Sequence, residues 1–199
     1  MREEIHMTKI GILIFHQVEE MDFVAPFEVL SYINKIEVNS SQVVLIAEKL
    51  ELIQAYNGMK IFPDHSFGTC PNLDILIVPG GKGRLDAMHN PKIKEFVLHQ
   101  SKQAQYIASV CTGAFILAEA GLLEGKKTTT YHSAFAELQT YNILTIEKAK
   151  VVRDGNIITS AGVTSGLELG FYILKILFGS ILAKEVANKI EYIVDIDAL

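Results

Sequence analysis

The chain has 199 residues, of which 49% are hydrophobic and 21% are charged, the composition of a soluble globular protein that can bury a sizeable core. Its 18 basic and 23 acidic side chains give a net charge of −5, which disfavours nucleic-acid binding through a basic surface. Two cysteines, Cys70 and Cys111, are too few for the disulfide framework of a small secreted protein. We therefore expect free thiols and a cytoplasmic location.

The sequence predicts neither export nor membrane insertion. The first residues, Met1–His6, lack the apolar run and cleavage site of a secretory signal. The most apolar stretch, residues 161–183, is interrupted by Glu168 and Lys175 and is interpreted as a buried helix. We expect residues 1–7 to form an N-terminal extension and residues 8–199 to form a single domain.

Strands and helices alternate along the chain. Unbroken branched apolar runs indicate strands covered on both faces, apolar residues at helical spacing indicate surface helices, and Asn-Gly and Asp-Gly pairs indicate hairpin turns. The alternation predicts an α/β three-layer sandwich with a mostly parallel central sheet. The predicted elements, in chain order, are strand Ile10–Phe15, helix Asp22–Ile36, strand Val43–Ile46, a hairpin turn at Asn57-Gly58, strand Leu73–Val78, helix Pro91–Gln103, strand Tyr106–Val110, helix Gly113–Leu123, a hairpin turn at Asp154-Gly155, a helix capped by Thr164 or Ser165, and helix Ile181–Tyr192.

The segment Ser109-Val110-Cys111-Thr112-Gly113 joins a predicted strand to a predicted helix and has the pattern of a nucleophile elbow. Such a tight turn admits only small neighbours and presents the central side chain above the sheet edge. A cysteine there faces a helix N-terminus, which favours the thiolate and predicts a lowered thiol pKa. The alternative is an inert buried cysteine.

Four blocks of the sequence stand out, at residues 77–81 (IVPGG), 108–114 (ASVCTGA), 121–127 (GLLEGKK) and 159–163 (TSAGV). Together they resemble the DJ-1/ThiJ/PfpI family over roughly residues 8 to 190. The resemblance implies a flavodoxin-like sandwich whose cysteine is the nucleophile and which needs neither metal nor organic cofactor. Within the family, the Cys-Thr pair and an acidic residue in the first helix resemble the isonitrile hydratase branch and the amidase-like domains of certain transcription regulators.

The resemblance also implies a carboxylic acid beside the thiol, and Asp22 occupies that position. A carboxyl group and a thiol packed together share one proton, which raises the pKa of the acid and makes Asp22 a proton shuttle. The alternative role for Asp22 is a helix N-cap. Glu28 lies further along the same segment.

Residues next to the cysteine supply candidate substrate-binding groups. The backbone amides of Gly80 and Gly81, with those of Thr112 and Gly113, are predicted to form an anion hole at the carboxyl ends of the strands. The alternative is a tight turn that simply requires glycine. Thr112 is a candidate catalytic hydroxyl, or else the start of the helix.

Histidine placement departs from the family pattern, because Thr112 follows the cysteine and Tyr131 stands where a second histidine is expected, with His132 one residue later. If this segment is a strand, neighbouring side chains point to opposite faces, so Tyr131 and His132 should not both reach Cys111. His132 stays a candidate binding residue, with a supporting or surface role as the alternative. This departure weakens an amidase or peptidase interpretation.

Other polar residues receive structural interpretations. His65, His89 and His99 lack metal-site spacing, Cys70 precedes Pro71 outside any elbow, Glu168 stabilises a helix dipole, and Arg84 either binds a substrate carboxylate or is exposed.

The leading hypothesis is a cysteine-dependent enzyme that hydrates a small isonitrile, with no nucleic-acid or membrane partner and with a homodimer carried over from the family. The alternatives are an amidase, protease, glyoxalase or deglycase, and a non-enzymatic thiol sensor or chaperone-like protein.

Overall fold

The computed structural model describes residues 7–199, so the predicted N-terminal extension lies outside the described residues except for Met7. The strands are β1 (Thr8–Leu13), β2 (Ser41–Ala47), β3 (Ile53–Gln54), β4 (Lys60–Ile61), β5 (His65–Ser66), β6 (Ile75–Val78), β7 (Tyr106–Val110), β8 (Lys127–Thr128), β9 (Thr145–Ile146), β10 (Val151–Asp154) and β11 (Ile157–Ser160). The helices are α1 (Glu20–Tyr32), α2 (Arg84–Ala87), α3 (Pro91–Ser101), α4 (Ala114–Glu119), α5 (Phe135–Leu138), α6 (Ser165–Phe178) and α7 (Ser180–Lys189).

The main sheet has the strand order β10-β11-β7-β6-β1-β2-β5, and every pair in it is parallel except the β10–β11 hairpin. Its central strands, β6 and β7, are buried along their whole length, as expected of apolar runs that helices cover on both faces. The register places Ala108 between Ile77 of β6 and Ile158 of β11. The predicted α/β fold with a largely parallel central sheet is therefore confirmed.

The helices pack in two groups, α1 with α6 and α7, and α3 with α4. The α1–α6 contact is close because α6 carries two glycines at the interface. A Cβ at Gly166 would lie 3.1 Å from Pro26 and one at Gly170 would lie 2.8 Å from Val29, so a larger residue at either position would push the helices apart.

Several predicted elements differ in detail from the structure. The second hairpin turns at residues 155–156 and not at Asp154-Gly155, because Asp154 still pairs with Ile157. The helix after Cys111 ends at Glu119, Thr164 makes no side-chain cap bond to α6, and Tyr131 is followed by a 3-10 turn, not by further strand. The short strands β8 and β9 have too few residues for a periodic signal in the sequence.

Four neighbouring parallel strands, β1, β6, β7 and β11, end at one edge of the sheet. The loops that follow them lead to Asp22, Gly80, Cys111 and Val163, respectively, so residues far apart in sequence converge there. Among the helices of residues 7–199, none has the length and apolar character required to cross a bilayer.

Candidate active site

Cys111 is the first residue after β7, and its backbone has a φ of +57°. This left-handed conformation costs a non-glycine residue about 1–2 kcal/mol, so other contacts must hold it. The backbone N–H of Cys111 donates to the Ala161 carbonyl at 3.1 Å, and its carbonyl accepts from the Thr130 hydroxyl at 2.7 Å. The segment has the sharp strand-to-helix turn that the small-residue pattern predicts.

Gly113 in the Cys111 turn and Gly80 in the loop after β6 allow these two loops to lie close together. A Cβ at Gly80 would come within 2.6 Å of the Thr112 amide nitrogen, and one at Gly113 would overlap the Val78 carbonyl oxygen. Such distances are shorter than van der Waals contact, so neither position has room for a side chain. These glycines are needed for the approach of the two loops.

Asp22 is completely buried and lies in the first turn of α1. The N-cap residue is Glu19, which makes no side-chain cap bond, so the alternative of Asp22 as an N-cap is wrong. Its Oδ2 atom accepts from the Gly80 backbone N–H at 2.9 Å. Its Oδ1 atom is buried and accepts no hydrogen bond of ordinary geometry among the described residues, although the Cys111 thiol and the Val163 amide lie near the carboxyl group. An unsatisfied buried carboxyl oxygen is costly when ionised and calls for a proton or a ligand.

Asp22 and Cys111 influence each other's ionisation. Burial, with a smaller contribution from Glu19, raises the pKa of Asp22 to about 7, although the Gly80 amide, the Cys111 thiol and the Val163 amide oppose the shift. Burial and the charge of Asp22 raise the pKa of Cys111 to about 12. The pair therefore holds at least one proton at neutral pH, and a thiolate forms when that proton sits on the carboxyl group.

The expectation of a lowered thiol pKa at Cys111 is wrong. Hydrogen bonds from the Thr112 and Val163 amides and from the Thr112 hydroxyl do lower this pKa, but burial and Asp22 outweigh them. The helix that follows the turn, α4, has only six residues, so its dipole adds little. Cys111 is only 6% exposed, which explains the large contribution of lost solvation.

The Gly80 and Gly81 amides are used differently from the prediction. The Gly80 N–H binds Asp22, and the Gly81 N–H donates to the Thr112 hydroxyl oxygen at 3.1 Å. Each already has an acceptor, so these two amides orient the acid and the hydroxyl instead of forming an open anion hole. Gly81 also has a φ of +117°, a conformation that strongly favours glycine. The Thr112 and Val163 amides are the ones directed at the sulfur.

Val163 is a site residue that the sequence does not reveal. It follows β11, has a φ of +50°, and its N–H interacts with both Asp22 and Cys111. A left-handed conformation at a β-branched residue is strained. The only sequence signal is its place in the 159–163 block, because nothing in the residue type predicts this conformation.

The structure does not place His132 with the thiol. His132 is exposed in a 3-10 turn, whereas the ring of Tyr131 lies so close to Gly162 that a Cβ there would overlap it. The two aromatic rings are 4.4 Å apart. The groups that act on the Cys111 thiol are Asp22, Thr112 and Val163, so a Cys-His pair is not supported.

The remaining candidates have structural surroundings. Arg84 forms a two-point ion pair with Glu137, so its guanidinium is not free for a substrate carboxylate, and the Tyr192 hydroxyl donates to Glu168 at 3.2 Å. Cys70 is half-buried, Glu28, His89 and His99 are exposed, and His65 belongs to β5. Within residues 7–199, no three His, Cys, Asp or Glu side chains are grouped as metal ligands.

A strained cysteine at the carboxyl edge of a parallel sheet, next to a buried acid, defines the class of α/β proteins with a nucleophile elbow. The DJ-1/PfpI family model matches residues 8–176. The chain belongs to the DJ-1/PfpI family.

Sequence and structure relatives agree with this assignment. The chain is 35% identical to an isonitrile hydratase of Pseudomonas putida over 184 residues, 92% of this chain and 78% of that protein. It is 30% identical to protein dj-1beta of Drosophila melanogaster over 69% of this chain and 75% of that protein. A crystal structure of a ThiJ/PfpI family protein from Pseudomonas syringae superposes with a TM-score of 0.87 at 32% identity, covering 97% of this chain and 79% of the other.

Proposed function

We propose that the protein is a cysteine-dependent enzyme that adds water to isonitriles and releases N-substituted formamides. The similarity to an isonitrile hydratase over 92% of the chain supports this reaction. The observation that carries the proposal is the buried Asp22 carboxyl group, with one oxygen held by Gly80 and the other without a partner, beside the Cys111 thiol.

The chemistry of an isonitrile suits this pair. Its terminal carbon must receive both a nucleophile and a proton, so the nucleophile and the proton donor must lie side by side. A carboxyl group with a pKa of about 7 is able to give and take a proton near neutral pH. The free Oδ1 atom of Asp22 is the oxygen available for this transfer.

In the first step, the proton shared by the pair lies on Asp22 and the Cys111 thiolate attacks the terminal carbon. The carbon–sulfur bond forms as Asp22 protonates the same carbon. The product is a thioimidate in which sulfur is bonded to a CH=N group. Asp22 is left as a carboxylate.

In the second step, Asp22 takes a proton from water as the oxygen adds to the thioimidate carbon, and returns that proton to the nitrogen. Asp22 then accepts the hydroxyl proton while the carbon–oxygen double bond forms and the carbon–sulfur bond breaks. The thiolate leaves and an N-substituted formamide is released. The acid and the nucleophile return to their starting state, and one water has been consumed.

Thr112 and Val163 complete the proposed site. The Thr112 hydroxyl accepts from Gly81 and donates toward the sulfur, so it stabilises the attacking and leaving thiolate. The Thr112 and Val163 amides supply further donors to the same atom. Fixed donors of this kind stabilise charge without reorganisation during the reaction.

The alternative chemistries have less support in this site. Amide hydrolysis needs a base beside the nucleophile and an acid for the leaving amine, and His132 lies exposed in a separate turn. An oxidant sensor needs a thiol that the oxidant can reach. Cys111 is only 6% exposed.

A substrate panel tests the proposal. We expect turnover of tert-butyl isonitrile to N-tert-butylformamide, followed by NMR, and no turnover of methylglyoxal or of a peptide amide. Cys111→Ala serves as the blank and Cys70→Ser as the matched thiol control. Turnover of methylglyoxal without turnover of the isonitrile would make the glyoxalase alternative the better function.

We also propose that the chain pairs with a second copy through the β3–β4 hairpin. Several large apolar side chains in this hairpin and next to it are exposed, whereas most large apolar side chains of residues 7–199 are at least partly buried, and exposed apolar patches mark interfaces. Light scattering should give the mass of a dimer for the natural chain and of a monomer for Phe62→Glu. The exposed residues are Leu50, Leu52, Tyr56, Met59 and Phe62.

A further inference from the structure

Arg84 is held more firmly than a surface arginine requires. Its two terminal nitrogens donate to the two carboxylate oxygens of Glu137 at 2.8 and 2.6 Å. The central guanidinium carbon lies 4.0 Å from the centre of the Phe115 ring. The Arg84 side chain is only 13% exposed, against 48% for Glu137. A two-point pair that is also stacked on an aromatic ring has a fixed geometry.

These contacts join three separate segments of the chain, two of which border Cys111. Arg84 begins α2, directly after the Gly80–Gly83 turn whose amides hold Asp22 and Thr112. Phe115 is fully buried and follows the Cys111 turn by one residue of α4. Glu137 lies in α5, which continues the segment that begins at Tyr131. One guanidinium therefore connects the loop after β6, the helix behind the nucleophile and the segment beside Gly162.

A second contact supports the same arrangement. The ring of Tyr141, three residues beyond α5, packs edge-on against Phe115 with centroids 6.0 Å apart. Its hydroxyl donates to Glu119, at the end of α4, at 2.6 Å. The segment that contains α5 is thus fixed to both ends of α4. Glu137 reaches Phe115, near the start of α4, through Arg84, and Tyr141 reaches Glu119 at its end.

We propose that Arg84 is a positioning residue, which holds the loop after β6 (Gly80–Gly83) against the Cys111 turn through its paired contact with Glu137 and Phe115. Its effect on the rate rests on the proposed isonitrile hydration, whereas its effect on the exposure of the thiol does not. Loss of the pair loosens the Gly80–Gly83 loop, which packs directly on Thr112 and Gly113. This loosening uncovers Cys111, which is only 6% exposed, and disturbs the geometry required for catalysis.

Loss of Arg84 should slow turnover but speed alkylation of Cys111, and these opposite changes separate a positioning role from other roles. In Arg84→Met we expect kcat with tert-butyl isonitrile to fall about tenfold, because misplacement of reacting groups by fractions of an ångström is costly. Iodoacetamide should alkylate Cys111 roughly fivefold faster, because local opening governs access to a buried group. Cys70 is an internal control, and mass spectrometry should show its alkylation rate unchanged.

Matched variants complete the experiment. Glu137→Gln should reproduce both effects in weaker form, and the double variant should be no worse than Arg84→Met alone, because the two residues act as one unit. Arg84→Lys should recover only part of the rate, since an ammonium group cannot form the two-point contact. Lys184→Met breaks another ion pair, Lys184–Asp197 at 2.6 Å between exposed side chains, and should change neither readout.

The outcomes are distinct. Slower turnover with faster alkylation of Cys111 alone supports the proposal. Unchanged alkylation in both variants overturns it, as does an equal rise at Cys70 and Cys111, which would indicate general destabilisation. If Arg84→Met does not fold, Glu137→Gln alters the more exposed partner and decides in its place. If the natural chain turns over no isonitrile, the proposed function fails, and the alkylation rates alone decide whether Arg84 positions the loop after β6.

Discussion

The two cysteines of this protein both have at least partly buried thiols, but their surroundings differ. Burial raises the pKa of both, to about 11 for Cys70 and about 12 for Cys111. The Cys70 sulfur contacts the Gln100 amide at 3.8 Å and the Pro71 carbonyl at 3.2 Å, and neither neighbour is able to take its proton at neutral pH. Cys111 has Asp22, an acid that titrates near neutrality. The difference is the presence of a proton acceptor, because burial is common to both.

The backbone conformations of the two cysteines also differ, and again only Cys111 has the unusual feature. Among the described residues, φ is positive at Cys111 and at Val163 beside it, but not at Cys70. Strained conformations persist where surrounding contacts enforce them, and they place reacting groups in advance of the substrate. The hydrogen bonds from Thr130 and to Ala161 hold Cys111 in this way, so preorganisation accompanies the acid at one thiol only.

The largest expected effect is the contrast between Cys111→Ser and Cys70→Ser, which each exchange one thiol for a hydroxyl. Cys111→Ser should lose at least about 10³-fold in kcat/KM with tert-butyl isonitrile, because removal of a nucleophile removes the whole covalent route. Cys70→Ser should retain the activity of the natural chain. Steady-state kinetics on both purified variants measures this contrast, and equal losses at the two positions would remove the distinction between the two regions.

Removal of the acid converts Cys111 into a thiol without a proton acceptor, like Cys70. Asp22→Asn should lower kcat about 10²- to 10⁴-fold, the range expected for a general acid–base group. In the natural chain, kcat/KM should fall as the pH drops below about 7, because the Asp22–Cys111 pair then holds two protons and no thiolate forms. Glu28→Gln, at an exposed position of the same helix, should leave the rate and the pH profile unchanged.

Asp22→Asn should also increase the stability of the folded protein at high pH. Asp22 has an ordinary pKa of 3.8 that is raised to about 7 in the folded protein, so its contribution to stability is fully present below pH 4 and is lost as the pH rises through 7. Asp22→Asn avoids this loss and should be more stable than the natural chain at pH 8, by on the order of 2–4 kcal/mol. Urea unfolding at both pH values measures the difference, which should disappear near pH 4. A difference that is equal at both pH values would mean that Asp22 does not carry the buried charge.

Local pattern was sufficient to predict much of this molecule. The apolar runs of β6 and β7 and the small residues around Cys111 encode the sheet centre and the sharp turn, because strand burial and turn geometry depend on near neighbours. Asp22 was identified through a family resemblance, and its burial beside the thiol is a long-range result that periodicity does not contain.

Other features of the site depend on contacts between distant segments. The positive φ of Val163, the use of the Gly81 amide to hold Thr112 and the exposed turn at His132 all arise where separate loops meet. The sign of the Cys111 pKa shift was missed for the same reason, because it depends on how burial and Asp22 balance against a few hydrogen-bond donors. Residue types alone give the list of groups but not this balance.

The smallest expected effect concerns the Thr112 hydroxyl, which lies beside the Cys111 sulfur and has no counterpart among the described hydrogen bonds of the Cys70 thiol. Thr112→Val removes the group that accepts from the Gly81 N–H at 3.1 Å and donates toward the sulfur. We expect kcat to fall about tenfold and stability to fall by about 1–2 kcal/mol, because a backbone donor loses its partner. Thr112→Ser should recover most of both, since it restores the hydroxyl, and kinetics with thermal unfolding measure the two quantities. A valine variant with full activity would show that the carboxyl group alone, without this hydroxyl, separates the Cys111 site from a buried thiol such as Cys70.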